Sequence, residues 1–314
     1  MAKQARGYKS SMMVDFEASF GEAPKKKAGY VLPMNSNELV KNQTLIESDT
    51  ITSTRNDSQP ALGRVSVEGD IVMPADYVAI GYMLKALFGA PVTSGEEATK
   101  THTFTVGDDQ PSMIVEKGFP DLNKYIRYTG VKINTMKLEY GQDQEMTISY
   151  NVMGAAREQS GTAYTSSPTV VPLQRIAQND AYIKIGGTES RIVKEGSIEI
   201  NANLDGDQYV VGGGGVRGDI PEGIMKVNGT VKALFTDTEW LDKADNGESV
   251  PVEIGFKRAD GTTVSFTMPT VQFEPFDAPI SGPAGVTVDV TWRAFSADGT
   301  SIVTVVVKNN QVSY

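Results

Sequence analysis

Apolar and polar residues alternate with a period of two along many short stretches of this 314-residue chain, which is typical of half-buried β-strands. One clear example is Met146, Thr147, Ile148, Ser149, Tyr150, Asn151, Val152 and Met153. A second is Val286, Thr287, Val288, Asp289, Val290, Thr291, Trp292 and Arg293. Each such strand has one face for a core and one face for water, so the sequence predicts a mainly β fold.

One stretch has the longer period of an α-helix. Asp76 is a candidate N-cap, and Gly89 followed by Pro91 is a typical helix end. The apolar stripe between them consists of Val78, Met83, Leu84, Leu87 and Phe88. A second, shorter helix is predicted over residues 238–244.

The order of these elements occurs twice. Residues 36–155 and 181–314 each read as strand, strand, short helix, strands and closing hairpin. Val227-Asn-Gly-Thr-Val is similar to Val67-Glu-Gly-Asp-Ile, and the stretch from Ile192 is similar to the stretch from Leu39. The pattern predicts a tandem pair of β-sandwich or partial-barrel domains, each with one short helix. The alternative is the coarse likeness that all-β segments share.

Two segments lack periodicity. Residues 1–35 contain Lys25-Lys26-Lys27 and several prolines and glycines, and they are interpreted as an N-terminal arm that orders against a neighbour. Residues 156–180 are small and polar, and they are interpreted as a linker between the two domains.

Composition excludes several classes of protein. The chain has no cysteine, which excludes disulfides and thiolate metal sites. Its net charge of −10 argues against stable binding of nucleic acid through phosphates. No stretch reaches the roughly 18–20 apolar residues of a membrane-spanning helix, so no membrane partner is expected.

Catalytic patterns are missing. His102 is the only histidine, so a surface or interface role is favoured over a metal or general-base role. The run Gly212 to Gly215 lacks the ending of a phosphate-binding loop and is interpreted as a mobile loop. The sequence therefore predicts a protein that is not an enzyme and has no cofactor or metal.

The motifs, taken in order, resemble the tail tube proteins of long-tailed bacteriophages, also called major tail proteins. In the first half they are Glu22-Ala-Pro, Val31-Leu-Pro-Met, Gly63-Arg, Val67-Glu-Gly-Asp-Ile, Leu84-Lys-Ala-Leu-Phe-Gly, Thr101-His-Thr-Phe-Thr, Ser112-Met-Ile-Val-Glu-Lys-Gly, Tyr128-Thr-Gly-Val-Lys-Ile-Asn-Thr-Met-Lys-Leu and Val152-Met-Gly. In the second half they are Ile192-Val-Lys, Ile200-Asn-Ala-Asn and Val227-Asn-Gly-Thr-Val. No single motif is diagnostic, and the resemblance depends on their order over nearly the whole chain beyond about residue 20.

The resemblance implies a structural virion protein of the tail, assembled in the host bacterial cytoplasm. Its subunits would form rings whose inner sheets join edge to edge around a channel, and the rings would stack into a conduit for double-stranded DNA. The implied partners are further copies of the chain, a tape measure protein, a tail terminator and distal tail or baseplate proteins. Rings of the family commonly present six copies of one fold, and that fold needs only about half of this chain. Three chains would therefore supply six copies, so a trimer with pseudo-sixfold symmetry is favoured over a hexamer.

Two sets of residues are candidates for function. The expected channel-facing residues are Thr147, Ser149, Asn151, Glu199, Asn201, Thr287 and Asp289. The expected ring-stacking residues are Lys25, Lys26, Lys27, Tyr30, Asp49, Arg55 and Asp57. An acidic or neutral channel wall would let DNA slide without sticking.

Two other classes remain open at this point. A type VI secretion tube protein would also form rings, but it is usually about half this length. A carbohydrate-binding β-sandwich should expose clustered aromatic residues, whereas the 8% aromatic residues here are spread evenly.

Overall fold

The computed structural model describes residues 4–96 and 99–314, and within these ranges it contains twenty β-strands and two α-helices. The first-half strands are β1 (Ser11–Phe16), β2 (Tyr30–Leu32), β3 (Ser36–Asn37), β4 (Val40–Ile46), β5 (Ala61–Pro74), β6 (Val92–Ser94), β7 (Lys100–Thr105), β8 (Met113–Phe119), β9 (Lys124–Tyr140), β10 (Thr147–Gly154), β11 (Ala156–Ser160) and β12 (Thr169–Val170). The second-half strands are β13 (Ala181–Ile185), β14 (Thr188–Glu189), β15 (Val193–Asn201), β16 (Lys226–Leu234), β17 (Ser249–Lys257), β18 (Thr263–Phe273), β19 (Thr287–Ala294) and β20 (Thr304–Asn309). The helices are α1 (Ala79–Phe88) and α2 (Glu239–Asp245).

The mainly β fold and both helices confirm the prediction from periodicity. Asp76 lies just before α1, and its carboxylate accepts hydrogen bonds of 2.7 Å from the backbone N–H groups of Val78 and Ala79. Those N–H groups have no partner inside the helix, so the carboxylate stabilises its first turn. In α1 every residue except Lys85 is buried.

Strand pairing follows the same order in the two halves. β4, β5, β10 and β9 lie side by side, and so do β15, β16, β19 and the C-terminal end of β18. Each half also has an antiparallel hairpin, β8 with β9 and β17 with β18. The first hairpin is flanked by β1 and β11, and the second is flanked by β13 and β20.

The pairing register shows which residues correspond. Directly opposed residues run Gly69–Val152–Ile133 in the first half and Gly229–Trp292–Phe273 in the second. Val67 and Val227 therefore occupy matching positions, as their sequences indicate. The sequence likeness matches Leu39 with Ile192, and this match is wrong. Gly229 is the counterpart of Gly69, and the residue that lies opposite Gly229 is Ile198. A Cβ added to Gly69 would meet the backbone of Leu39, so Leu39 corresponds to Ile198.

The two halves join at their sheet edges. β9 pairs antiparallel with β15, from Tyr140 opposite Gly196 to Thr135 opposite Asn201. The strands β5, β10, β9, β15, β16 and β19 therefore form one continuous sheet across the junction. β7, from the first half, pairs with β20, from the second.

One cluster of buried apolar side chains runs through both halves, from Met12 in β1 to Val307 in β20. Burial of apolar surface is the main favourable contribution to folding, and here both halves contribute to the same cluster.

The predicted N-terminal arm over residues 1–35, of which residues 1–3 lie outside the described residues, contains a buried strand. Residues 11–16 form β1, which lies between β2 and β8, and Met12 to Val14 are buried. Three consecutive apolar residues show neither strand nor helix periodicity, which is why the pattern did not indicate a strand. The first half therefore begins near residue 11 and not at residue 36.

The predicted linker over residues 156–180 also differs from the structure, because it packs on the first half. β11 pairs with β9, and β12 pairs in parallel with β2. Tyr164, Val171 and Ile176 are buried. Isolated apolar residues among small polar ones anchor this segment without producing a period.

Candidate functional site

One face of the continuous six-stranded sheet is polar, and we call this face the polar ribbon. Residues that alternate with those of the polar ribbon are buried, for example Ile148, Ile198 and Val288. All seven candidate channel-facing residues lie on the polar ribbon: Thr147, Ser149, Asn151, Glu199, Asn201, Thr287 and Asp289. The structure therefore brings together on one surface residues from both halves that sequence analysis placed on separate strands.

Cross-strand pairing aligns these residues in rows. In one row Ser149 lies opposite Lys137, Lys137 lies opposite Glu199, and Glu199 lies opposite Asn228. In a neighbouring row Asp70 lies opposite Asn151, whose side-chain amide donates a hydrogen bond of 2.7 Å to the Asp70 carboxylate. The rows cross the β9–β15 junction without interruption.

The polar ribbon carries charges of both signs, with more acidic than basic residues. Its acidic residues are Glu68, Asp70, Glu139, Glu195, Glu199 and Asp289. Its basic residues are Arg64, Lys137, Lys226, Lys232 and Arg293.

Carboxylates lie close to four of these basic groups. Arg64 Nη1 is 3.6 Å from Asp207 Oδ1. Lys137 Nζ is 2.7 Å from Glu139 Oε1, Lys232 Nζ is 3.3 Å from Glu195 Oε1, and an Arg293 nitrogen is 2.7 Å from Glu274 Oε1. Such exposed ion pairs add little stability. They do partly neutralise the cations that would otherwise attract phosphate.

Arg217, which is not among the residues predicted for the site, is buried beside β5. Its guanidinium donates to the carbonyl oxygens of Val67 at 3.2 Å and Gly154 at 3.0 Å, and it pairs with the Glu68 carboxylate. These bonds fix the glycine-rich loop, which was interpreted as mobile, against β5. An isolated arginine in a loop has no sequence pattern that would indicate this position.

The candidate ring-stacking residues lie in two places. Lys25, Lys26 and Lys27 are exposed between β1 and β2. Asp49, Arg55 and Asp57 are exposed in the long loop 47–60 between β4 and β5. Tyr30 lies in β2, and its ring packs against Tyr82 of α1 with centroids 4.5 Å apart, so this side chain is engaged within the chain.

The loop 47–60 and the strand ends that carry it expose apolar side chains. Leu45, Ile46, Ile51 and Leu62 are 61%, 56%, 94% and 69% exposed. Exposed apolar residues gathered at the tip of a long hairpin indicate a surface that another protein covers.

His102 is buried, which corrects the expectation of a surface or interface histidine. It lies in β7, with Nδ1 2.9 Å from the Thr93 hydroxyl and Nε2 2.9 Å from the Gln311 carbonyl oxygen. Because a carbonyl can only accept, Nε2 carries the hydrogen and donates it. Burial lowers the pKa of His102, which favours the neutral ring. Within residues 4–96 and 99–314 no group of three or more histidine and acidic side chains could hold a metal ion.

A family model for the phage tail tube protein matches residues 7–294. The chain belongs to the phage tail tube protein family. The match begins before β1 and ends in β19, so it covers both halves and the whole polar ribbon. A comparison with curated proteins finds no match.

Membership of this family makes the chain a structural component of the virion tail. In the part of the tail tube protein that the structure describes, no helix is long and apolar enough to cross a membrane.

Proposed function

We propose that this tail tube protein polymerises into stacked rings that form the hollow conduit through which double-stranded DNA leaves the virion. The observation that carries the proposal is the polar ribbon, which crosses both halves of the chain and backs onto a buried apolar core. A wet channel surrounded by a protein core needs strands of this kind.

The charge of the polar ribbon supports a channel wall. A surface that binds DNA stably presents an excess of Lys and Arg to the phosphates. Here acidic residues exceed basic ones, and nearby carboxylates partly neutralise Lys137, Lys232 and Arg293. Such a wall repels phosphate weakly, so DNA passes along it without being held.

Repetition of the pairing order supports a tandem duplication and a trimeric ring. Two similar sheets lie side by side within one chain, joined through β9 and β15. Three chains would then supply six copies of the unit, giving pseudo-sixfold symmetry with one junction type inside each chain and another between chains. The competing arrangement is a hexamer in which the second half lies outside the channel. It would leave the polar residues of β15, β16 and β19 without a channel to face.

Stacking of rings is assigned to the loop 47–60 and to Lys25, Lys26 and Lys27. Both are exposed and lie outside the ladder of paired strands, and the loop is longer than a hairpin needs. The partners of the finished tube are a tape measure protein along its inside, a tail terminator, and distal tail or baseplate proteins. Assembly takes place in the host bacterial cytoplasm.

Sedimentation and negative-stain microscopy of concentrated, purified protein test the proposal. We expect rings or hollow tubes, and a transverse section should show six similar units made by three chains. A protein that remains monomeric at every concentration would contradict ring formation. A section with six complete chains, and the second half outside the wall, would contradict the trimer.

A further inference from the structure

The outer edge of β3 and β4 is open in the single chain. In the second half the corresponding strand β15 is covered on this edge by β9. β3 and β4 pair only with β5 among the described residues, and Val40 is 45% exposed. An open sheet edge presents unpaired N–H and C=O groups, which is a template for another strand.

A matching segment leaves the opposite end of the sheet. The residues of β9 and β18 correspond as far as Ile133 and Phe273, which occupy matching positions in the two halves. The next residue, Glu274, still donates its N–H to the Thr291 carbonyl oxygen of β19 at 2.9 Å. Beyond this bond, residues 275–280 belong to no strand, whereas residues 135–140 form the part of β9 that covers β15.

The apolar pattern of the two segments is the same. Met136, Leu138 and Tyr140 are buried beneath the β9–β15 junction. At the corresponding positions Phe276 and Ala278 are half-buried against the core, and Ile280 is 82% exposed. Residues 276–280 therefore have the apolar pattern of residues 136–140, but no described strand of the same chain covers them.

We propose that residues 274–280 of one chain add as a strand to the open edge of β3 and β4 of a second copy of the chain. The pairing repeats the register of the β9–β15 junction, so Phe276 lies opposite Lys41, Asp277 opposite Val40, and Ala278 opposite Leu39 of the neighbour. This inference rests on the proposed ring and identifies the surface through which one chain meets the next.

Two prolines fit this direction of pairing. The N–H of Ala202 donates to the Asn134 carbonyl oxygen at 2.8 Å, so the backbone groups of alternate residues from Asn134 onward point toward β15. β9 reaches this phase through a β-bulge at Asn134, where its register to β10 shifts between Asn151 and Val152. Because the N–H of Glu274 points to β19, the proposed pairing includes the same bulge at Glu274. Phe276, Ala278 and Ile280 then each have an N–H for the neighbour. Pro275 and Pro279 fall at the other positions, which face β19, where a missing N–H ends the ladder inside the chain.

Lys117 occupies the open edge in the single chain. Its Nζ donates to the Leu39 carbonyl oxygen at 2.6 Å. Lysine side chains at open edges hinder unwanted strand pairing. A carbonyl oxygen has two lone pairs, so Leu39 can also accept from the N–H of Ala278 of the neighbouring copy.

Engineered cysteines test the pairing, because the chain has none of its own. In the β9–β15 junction Lys137 lies opposite Glu199. Hydrogen-bonded and non-hydrogen-bonded pairs alternate along an antiparallel ladder, and Lys137 is three residues from Asn134, which bonds to Ala202. The pair of Lys137 and Glu199 is therefore one without hydrogen bonds. The side chains of such pairs are closest, with Cα atoms about 4.5 Å apart, which lies within the Cα separation of about 4.4–6.8 Å found in disulfides. Asp277 and Val40 are the corresponding residues across the chain boundary.

The experiment mixes two single variants, Asp277→Cys and Val40→Cys, lets them assemble and oxidises them. We expect a covalent dimer at twice 33.8 kDa on a denaturing gel. Two controls accompany it. Asp277→Cys mixed with Thr44→Cys, on the same strand but out of reach, should give no dimer. A single chain with Lys137→Cys and Glu199→Cys should close an internal disulfide.

The outcomes separate this inference from the proposed function. Rings without a 277–40 disulfide, although the 137–199 control oxidises, would overturn the edge pairing and leave the tube intact. Equal cross-linking to Thr44→Cys would overturn the register. Absence of rings under all conditions would overturn the proposed function, and the edge pairing with it.

Discussion

Leu138 lies directly opposite Ile198 in the strand pair that joins the two halves, and both side chains are buried. The β9–β15 junction therefore has its own apolar side, which faces away from the polar ribbon. Leu138→Ala should lower the free energy of unfolding by about 2–5 kcal/mol, through lost burial and the remaining cavity. Urea denaturation measures this, with exposed Lys137→Ala as the control. Equal effects of the two substitutions would show that the junction is not packed.

Charge reversal on the polar ribbon should change how tubes treat DNA. Asp289 lies opposite Lys232, so Asp289→Lys places two cations side by side on every chain. We expect assembled tubes of this variant to retain short duplex DNA at low salt and to release it as salt rises. Exposed Asp245→Lys, on α2 and away from the ribbon, is the matched control. If both variants retain DNA equally, the ribbon does not face the channel.

Shortening the loop between β4 and β5 should separate ring formation from stacking. Replacing residues 48–58 by a short Gly-Ser turn leaves β4, β5 and the core in place. We expect a folded subunit by circular dichroism and single rings by electron microscopy, without long tubes. Tubes of normal length from this variant would remove the loop from the stacking surface.

Gly81 should tolerate no side chain, although its backbone is helical. A Cβ at this position would overlap the ring of Tyr314, which packs against α1. Gly81→Ala should therefore destabilise the protein by about 1–3 kcal/mol, as overpacking of a core does. Thermal unfolding of Gly81→Ala, Tyr314→Ala and the double variant checks this. If the double variant is no better than the sum of the two, the clash is not the cause.

Acid should weaken the contact between β7 and the C-terminal residues. Burial lowers the pKa of His102 below its unfolded value near 6.5, and neighbouring Lys100 acts in the same direction. The folded state therefore favours the neutral ring, and its stabilisation is present above about pH 6.5 and lost as pH falls through the folded pKa. We expect His102→Gln to flatten the decline in unfolding free energy between about pH 7 and pH 5. Parallel curves for the two proteins would show that the pKa of His102 is the same in the folded and unfolded states.

Alternation predicted the strands whose two faces differ, such as β10 and β19, and α1 was predicted from its stripe and its end signals. β1 was missed because Met12 to Val14 is apolar on both faces. Contacts such as Arg217 with β5 depend on groups far apart in sequence, so no local pattern could indicate them.

The candidate site was predictable for a related reason. Each of the seven candidate channel-facing residues alternates with apolar residues on its own strand, so its face could be predicted from the sequence. Their union into one surface depends on the pairing of β9 with β15, which the sequence does not specify. The contact of Tyr30 with Tyr82 joins segments separated by about fifty residues, so no local pattern could indicate it. A stacking role for Tyr30 stays a prediction.

The pairing of β7 with β20 has a consequence for the order of events on the ribosome. β7 is complete once residue 105 is made, but its partner is residues 304–309. A nascent chain therefore carries an unfinished first half until residues 304–309 have been synthesised. Chains that stop before residue 304 leave one edge of β7 unpaired, so such truncated products should be recognised by chaperones and proteases before they can enter a growing tube.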